Sequence, residues 1–356
     1  MPSRSHPAVT AGLLALSGFG GWLAHFAGLP LPFLLGALIA SASVAVAGGH
    51  HLPRGYAFPP WLRLAFIAVI GLMIGAQITP GMVQTAGRMA WSLGALVLFV
   101  PLAHATGYAV LRHLGGYDPV TAFYAATPGG LYESIALGEA AGADLPRLML
   151  QQFLRIVVVV TALPAALSLW TGTPVGSAAG LSLARAAVPW MALPGLALAA
   201  AAGLAGGRAL RLPAWQLTGP MAVGAALSLS GLADPAVPQW LVSLAQLVVG
   251  TALGLRFAGI DARMIMRGAG LALVSVGLVL GLGAGFAALL HPLTGEPADV
   301  LLISFAPGGV TEMALVALSL GANPAYVTLH HVWRIVLTVL GLGIAGRWRA
   351  RRATGG

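Results

Sequence analysis

The chain has 356 residues, 58% hydrophobic and 8% charged, with no cysteine. A charged share so far below the quarter usual in soluble domains excludes an ordinary soluble protein, and the missing thiols exclude disulfides and thiolate metal sites. All 18 basic residues are arginine and the net charge is +9, but no contiguous basic face or nucleic-acid motif accompanies them, so nucleic acid is not an expected partner.

Apolar runs of about 20 residues, enough to cross about 30 Å of hydrocarbon, recur along the whole chain. In order, they predict helices near 8–27, 32–48, 59–76, 90–111 and 146–169, then near 187–206, 214–231, 239–256, 268–290 and 324–345. The first run, behind Arg4, has the look of a signal peptide. Its counterpart later in the chain predicts a retained helix instead. Between the last two helices of each set lies a broken segment, near 119–142 and 298–321, where Pro-Gly-Gly interrupts an apolar stretch.

The chain reads as one unit written twice. An offset of 179 pairs Gly71 and Gly75 with Gly250 and Gly254, and Pro128, Gly129, Gly130 and Glu133 with Pro307, Gly308, Gly309 and Glu312. It also pairs Gly142-Ala143 with Gly321-Ala322, and Arg155-Ile156-Val157 with Arg334-Ile335-Val336. Upstream the offset becomes 183, matching Leu29-Pro30 to Leu212-Pro213. One offset held over about a hundred residues is a duplication signal. The expected organisation is an N-terminal tail 1–7, repeat one 8–170, a linker 171–185, repeat two 186–347 and a basic cytoplasmic tail 348–356.

Each broken segment reads either as a kinked crossing, giving six spans per repeat, or as a hairpin that enters and leaves on one side, giving five. Arginine placement favours the hairpin. With Arg155 and Arg334 set aside as intramembrane, a cytoplasmic N-terminus puts all remaining arginines on the cytoplasmic side except Arg88 and Arg185. The expected fold is therefore an all-α polytopic membrane protein of two inverted repeats, each with five transmembrane helices plus a broken, re-entrant hairpin. Its expected place is the bacterial inner membrane, multi-pass, with both termini cytoplasmic.

Inverted repeats with interrupted helices are the usual architecture of secondary transporters, because irregular backbone is tolerated in a membrane only where protein buries it or a wet cavity solvates it. Pro128 and Pro307 block the helix, Gly129, Gly130, Gly308 and Gly309 permit unusual backbone, and new helices are expected to start at Leu131 and Val310 with amides free for an anion. Glu133 and Glu312 then sit in the first turn, where they can cap those amides, pair with Arg155 or Arg334, or bind a coupling ion. Arg155 and Arg334 lie too deep to snorkel; each links its helix to the hairpin or contacts an anionic substrate. Gln151 and His330 stand one turn earlier on the same faces, with Gln152 and His331 beside them, so titration is available only in the second repeat. Thr127, Tyr132, Ser134, Ser304, Thr311 and Asn323 are polar candidates for a cavity wall.

Enzyme signatures are missing: there is no HxxxH or HExxH, no GxSxG, no Ser-His-Asp arrangement and no phosphate loop. No cofactor or metal is expected. The doubled Pro-Gly-Gly-x-x-Glu, the Gly-Ala after it, the Arg-Ile-Val of the last helix and the Leu-Pro…Gly element opening each repeat resemble the bacterial AbrB-duplication membrane family, over nearly the whole chain. That resemblance implies a membrane location. It also brings two inherited labels, ammonia monooxygenase and regulator of gene expression, although the chain carries neither a copper-ligand cluster nor the soluble DNA-binding domain that the name AbrB denotes elsewhere. The expected function is an ion-coupled secondary transporter or exporter of a small anionic metabolite, with H+ or Na+ as coupling ion and membrane lipids as surroundings. A membrane regulator or sensor acting indirectly on gene expression is the alternative, a membrane monooxygenase the third reading, and a homo-oligomer is left open.

Overall fold

A computed structural model describes residues 6–29, 31–47, 52–53, 56–78, 86–172, 188–232 and 236–354. Arg4, Arg54, Arg185 and most of the expected linker lie outside these residues. The described chain is helical, with fourteen α-helices: α1 Pro7–Phe26, α2 Pro32–Ala47, α3 Pro60–Ala76, α4 Ala86–Ala109, α5 Pro119–Ala125, α6 Leu131–Ala140, α7 Leu145–Thr171, α8 Leu193–Ala209, α9 Trp215–Ser230, α10 Gln239–Gly254, α11 Ala262–Thr294, α12 Ala298–Phe305, α13 Val310–Ser319 and α14 Pro324–Thr354. The last helix runs through the residues expected as a free basic tail, because nothing between Pro324 and Thr354 breaks it.

Seven helices among the described residues are long and apolar enough to cross a membrane. The other three expected spans, α2, α3 and α9, have 16, 17 and 16 residues, about 24–26 Å of helix, at the short end for a crossing. Phe19, Trp22, Leu278, Leu289 and Leu340 stand exposed on the long helices, which a lipid solvent tolerates and water would not.

Two compact units cut across the two sequence repeats. One takes residues 1–85, 160–263 and 311–325; the other takes 86–159, 264–310 and 326–356. In the first, α2 packs on α10 and α3 on α9, so the third helix of each repeat meets the second helix of the other. Glycine makes these approaches. A Cβ on Gly71 or Gly75 would strike the carbonyls of Leu217 and Met221, and one on Gly250 or Gly254 would strike those of Leu34 and Leu38. Leu34 and Leu38 stand 183 residues before Leu217 and Met221, so the two contacts are copies. The backbone repeats as well: Leu31 and Ala214 both hold φ 50, a left-handed value L-residues rarely adopt, just before α2 and α9.

The second unit holds α4, α5, α6, the first half of α7, α12 and most of α11 and α14. Leu111, Tyr117, Ala122, Tyr124, Ala125, Leu148 and Leu342 form one core. Phe99, Phe286 and Phe305 form another, with ring centroids 5.0 to 5.6 Å apart. A π turn over Val110–Leu114 closes α4. Asp118 then starts α5 by accepting 2.9 Å hydrogen bonds from the amides of Val120 and Thr121.

Candidate functional site

Both Pro-Gly-Gly breaks fall where the sequence places them. The helix before the first ends at Ala125 and the next starts at Leu131; the helix before the second ends at Phe305 and the next starts at Val310. At 7 to 10 residues each, these half-helices are about 10–15 Å long, half of a crossing or less. Gly130 holds φ 63 as the N-cap of α6, a conformation that costs other residues about 1–2 kcal/mol.

Each break ends the helical ladder of the half-helix before it; in the second break backbone amides reach two of the carbonyls, Ala306 N donating to Ile303 at 3.2 Å and Gly308 N to Ala306 at 2.9 Å. Side chains from the last helix of the same repeat supply further donors. Gln152 Nε2 donates to the carbonyl oxygens of Tyr124 and Ala125 at 3.1 and 3.2 Å and to Thr127 Oγ1 at 2.8 Å. Ser134 Oγ donates to the same Tyr124 oxygen at 2.8 Å and lies 2.5 Å from Thr127 Oγ1. In the second break His331 Nε2 stands 3.0 Å from the oxygen of Ile303, the residue 179 after Tyr124. The guanidiniums do the same: Arg155 Nη1 donates to the Thr127 carbonyl and Arg334 Nη1 to the Ala306 carbonyl. A cation at the carbonyl end of a helix also meets the negative end of its dipole.

From here the two arginines differ. Arg334 is fully buried, and its Nη2 bonds the Gly308 carbonyl at 2.5 Å and meets His331 Nδ1 at 2.8 Å. With Nε2 donating to Ile303, the His331 Nδ1 is the acceptor, so the neutral ring holds one tautomer. Arg155 makes the one bond to Thr127 and is half-buried; the Nε of both arginines has no partner among the described residues. Neither arginine meets a carboxylate among the described residues. The single ion pair among the described residues is Arg147–Asp144, at 3.3 Å. The two guanidiniums repel one another.

A small, partly open cavity lies beside Arg155, and both Pro128 and Pro307 line it together with Gln151 and Ser275. Gln151 reaches it from α7 while its Nε2 donates to Tyr117 Oη at 3.1 Å and to the Gly268 carbonyl at 3.3 Å. Burial pushes the Tyr117 phenol up from its ordinary range and keeps it neutral. Arg147 lies over the Tyr117 ring, 5.6 Å from its centroid. Gly129 packs against α14, where an added Cβ would stand 3.3 Å from Thr338 Oγ1. The first break thus rests on the helix that carries Arg334.

Several sequence expectations need correction. His330 does not share a site with Arg334: its Nε2 meets Ser92 Oγ and its Nδ1 the Tyr326 carbonyl, both at 2.8 Å, and its ring stacks on Tyr326. The adjacent His331 takes that role, since i,i+3 neighbours also share a helix face. Arg155 and Arg334 link their helices to the breaks through carbonyl oxygens, not through Glu133 or Glu312. Glu133 is exposed, with Oε2 beside Gly130, and makes no hydrogen bond or ion pair among the described residues. Glu312 lies in the other compact unit, partly buried on α13. Of the polar candidates, Thr127, Ser134 and Ser304 are buried at the breaks.

Helices of this length and hydropathy, two of them broken around a cationic cavity, define a multi-pass protein of membrane type. The chain belongs to the AbrB family: the profile described as "Transition state regulatory protein AbrB" matches residues 51–350. It is similar to the "Uncharacterized protein YhjN" of Bacillus subtilis, 27% identical over 353 residues that span 92% of this chain and 89% of the relative. It is similar also to the "Putative regulator AbrB" of Escherichia coli, 27% identical over 318 residues and 88% of each chain.

Proposed function

We propose that the protein is an ion-coupled secondary transporter or exporter of a small anionic metabolite, not an enzyme, in the bacterial inner membrane. The observation that carries this reading is the meeting of Pro128 and Pro307 on one cavity with a guanidinium that no carboxylate among the described residues neutralises. A buried or half-buried cation in low dielectric is costly until an anion joins it, and irregular backbone at membrane depth belongs beside a cavity. We further propose two inverted repeats with re-entrant hairpins and cytoplasmic termini, supported by the arginine distribution and by half-helices too short to cross alone. Glu133 and Glu312 are the coupling-ion candidates, since neither is committed to a hydrogen bond within the described structure.

The test is reconstitution in proteoliposomes carrying a pH-sensitive dye, challenged with a panel of small organic acids under proton or sodium gradients. Solute-dependent ion movement that is lost in a folded Glu133→Gln/Glu312→Gln double variant supports the reading. Normal transport by that variant removes the glutamates from the mechanism. The printed name of the Escherichia coli relative favours a second reading, a membrane regulator or sensor. Tight binding of an acid with no movement of solute or ions would favour it.

A further inference from the structure

We propose, building on the transport reading, that the cavity selects a monoanion with a short apolar body, a short-chain monocarboxylate, over dianions and phosphates. Charge sets the first half of this. Arg334 is spent on two carbonyls and His331 and does not line the cavity, whereas Arg155 lines it and holds one carbonyl. The cavity therefore offers one guanidinium, whose fork matches one carboxylate. Arg155 is the one charged side chain in its wall, so a second negative charge on the ligand would be desolvated without a partner. A neutral ligand would leave Arg155 without a counter-charge.

The wall sets the second half. Ala103, Gly107, Ala272, Val276 and Val279 are among the residues that line the cavity, small apolar groups that accept methylenes and offer a phosphate no donors. Gln151 and Ser275 are the other polar residues of the wall, and the Gln151 amide nitrogen is already held by Tyr117 and Gly268. Gly107 keeps the wall open: an added Cβ there would stand 3.3 Å from Ala126 Cβ and 3.5 Å from Ser275 Oγ.

The experiment uses the full-length protein in detergent, with thermal stability read against acetate, butyrate and hexanoate, and against succinate, inorganic phosphate and butyramide. Stabilisation that grows from acetate to butyrate, with none from the other three, is the expected result. Arg155→Gln, monodisperse on gel filtration, should bind butyrate about tenfold or more weakly, as expected for loss of a hydrogen bond to charge. Arg155→Lys should fall between. Val279→Ala should move the preference from butyrate toward hexanoate, a result that stands even if the arginine variants do not fold. Phosphate or succinate matching butyrate, or butyrate affinity unchanged in folded Arg155→Gln, would overturn the assignment. If butyrate binds but is not moved in proteoliposomes, transport fails and the ligand class stands. If phosphate or a dicarboxylate is moved in an Arg155-dependent way, the class fails and transport stands.

Discussion

The two broken segments are copies that have been put to different use. Both end a helical ladder at a Pro-Gly-Gly break, and both recruit a donor pair from the last helix of the repeat. In the second, histidine at 331 lets one ring accept from Arg334 while it donates to Ile303, and the arginine is locked. In the first, Gln152 spends its amide nitrogen on carbonyls and a hydroxyl, its oxygen has no partner among the described residues, and Arg155 is left facing a cavity. The side chain at this position, Gln152 or His331, accompanies the difference between an arginine that lines a cavity and one bonded through both terminal nitrogens at the break.

The comparison can be broken most decisively at Arg334. Arg334→Gln removes the side-chain donor to the Ala306 and Gly308 carbonyls and to His331, while the Gly308 amide still donates to Ala306 at 2.9 Å, and a loss of about 2–3 kcal/mol is expected. Arg155→Gln, at a half-buried position with one bond, should cost about 1 kcal/mol. Thermal melts of both variants in detergent check the contrast, and equal melting points would remove it. Gly130→Ala forces alanine into a left-handed N-cap and should lower stability by about 1–2 kcal/mol, read in the same assay. His331→Gln, which gives the second break the side chain of the first, should cost about 1 kcal/mol. Double variants with Arg334→Gln then show whether the two act as one group, in which case their losses fall short of adding.

A smaller difference lies at the entries to the half-helices. Asp118 caps α5, while Pro297, the residue before α12, gives no side-chain cap. Hydrogen bonds from Thr121, side chain first and then backbone, hold the Asp118 carboxyl below its ordinary range. A depressed carboxylate stabilises the fold above the unfolded-state value and loses that contribution as pH falls through the folded one. Asp118→Ala should therefore cost about 1 kcal/mol near neutral pH, and the gap to the wild type should close in acid. A gap that persists at low pH would assign the effect to something other than the charge.

Much of this was legible in the residues. Proline and paired glycines announced the breaks, and the starts at Leu131 and Val310 follow from them. The twin offsets announced the copied contacts of Gly71 and Gly250. The partners of the arginines were harder. A helix turns 3.6 residues at a time, so both i−3 and i−4 neighbours share an arginine's face, and spacing alone does not choose between His330 and His331. What chooses is which carbonyls lie at the break, a property of the folded segment. Of the three roles open to Glu133 and Glu312, pairing with the arginines is one the described residues do not show, because carbonyl oxygens at the breaks hold the guanidiniums instead. The compact units were not legible at all, since periodicity reports that a helix has a buried face and not which helix fills it.

The glycine contacts of the first unit have a consequence for how the chain is made. Because α3 closes on α9 and α10 closes on α2, the amino-terminal copy emerges from the ribosome with its small-residue faces unmatched, and they are matched only after the second copy follows. Assembly of that unit is thus postponed until synthesis has passed α10. Two separately expressed halves, cut within residues 173–187, should each be degraded alone and should recover together.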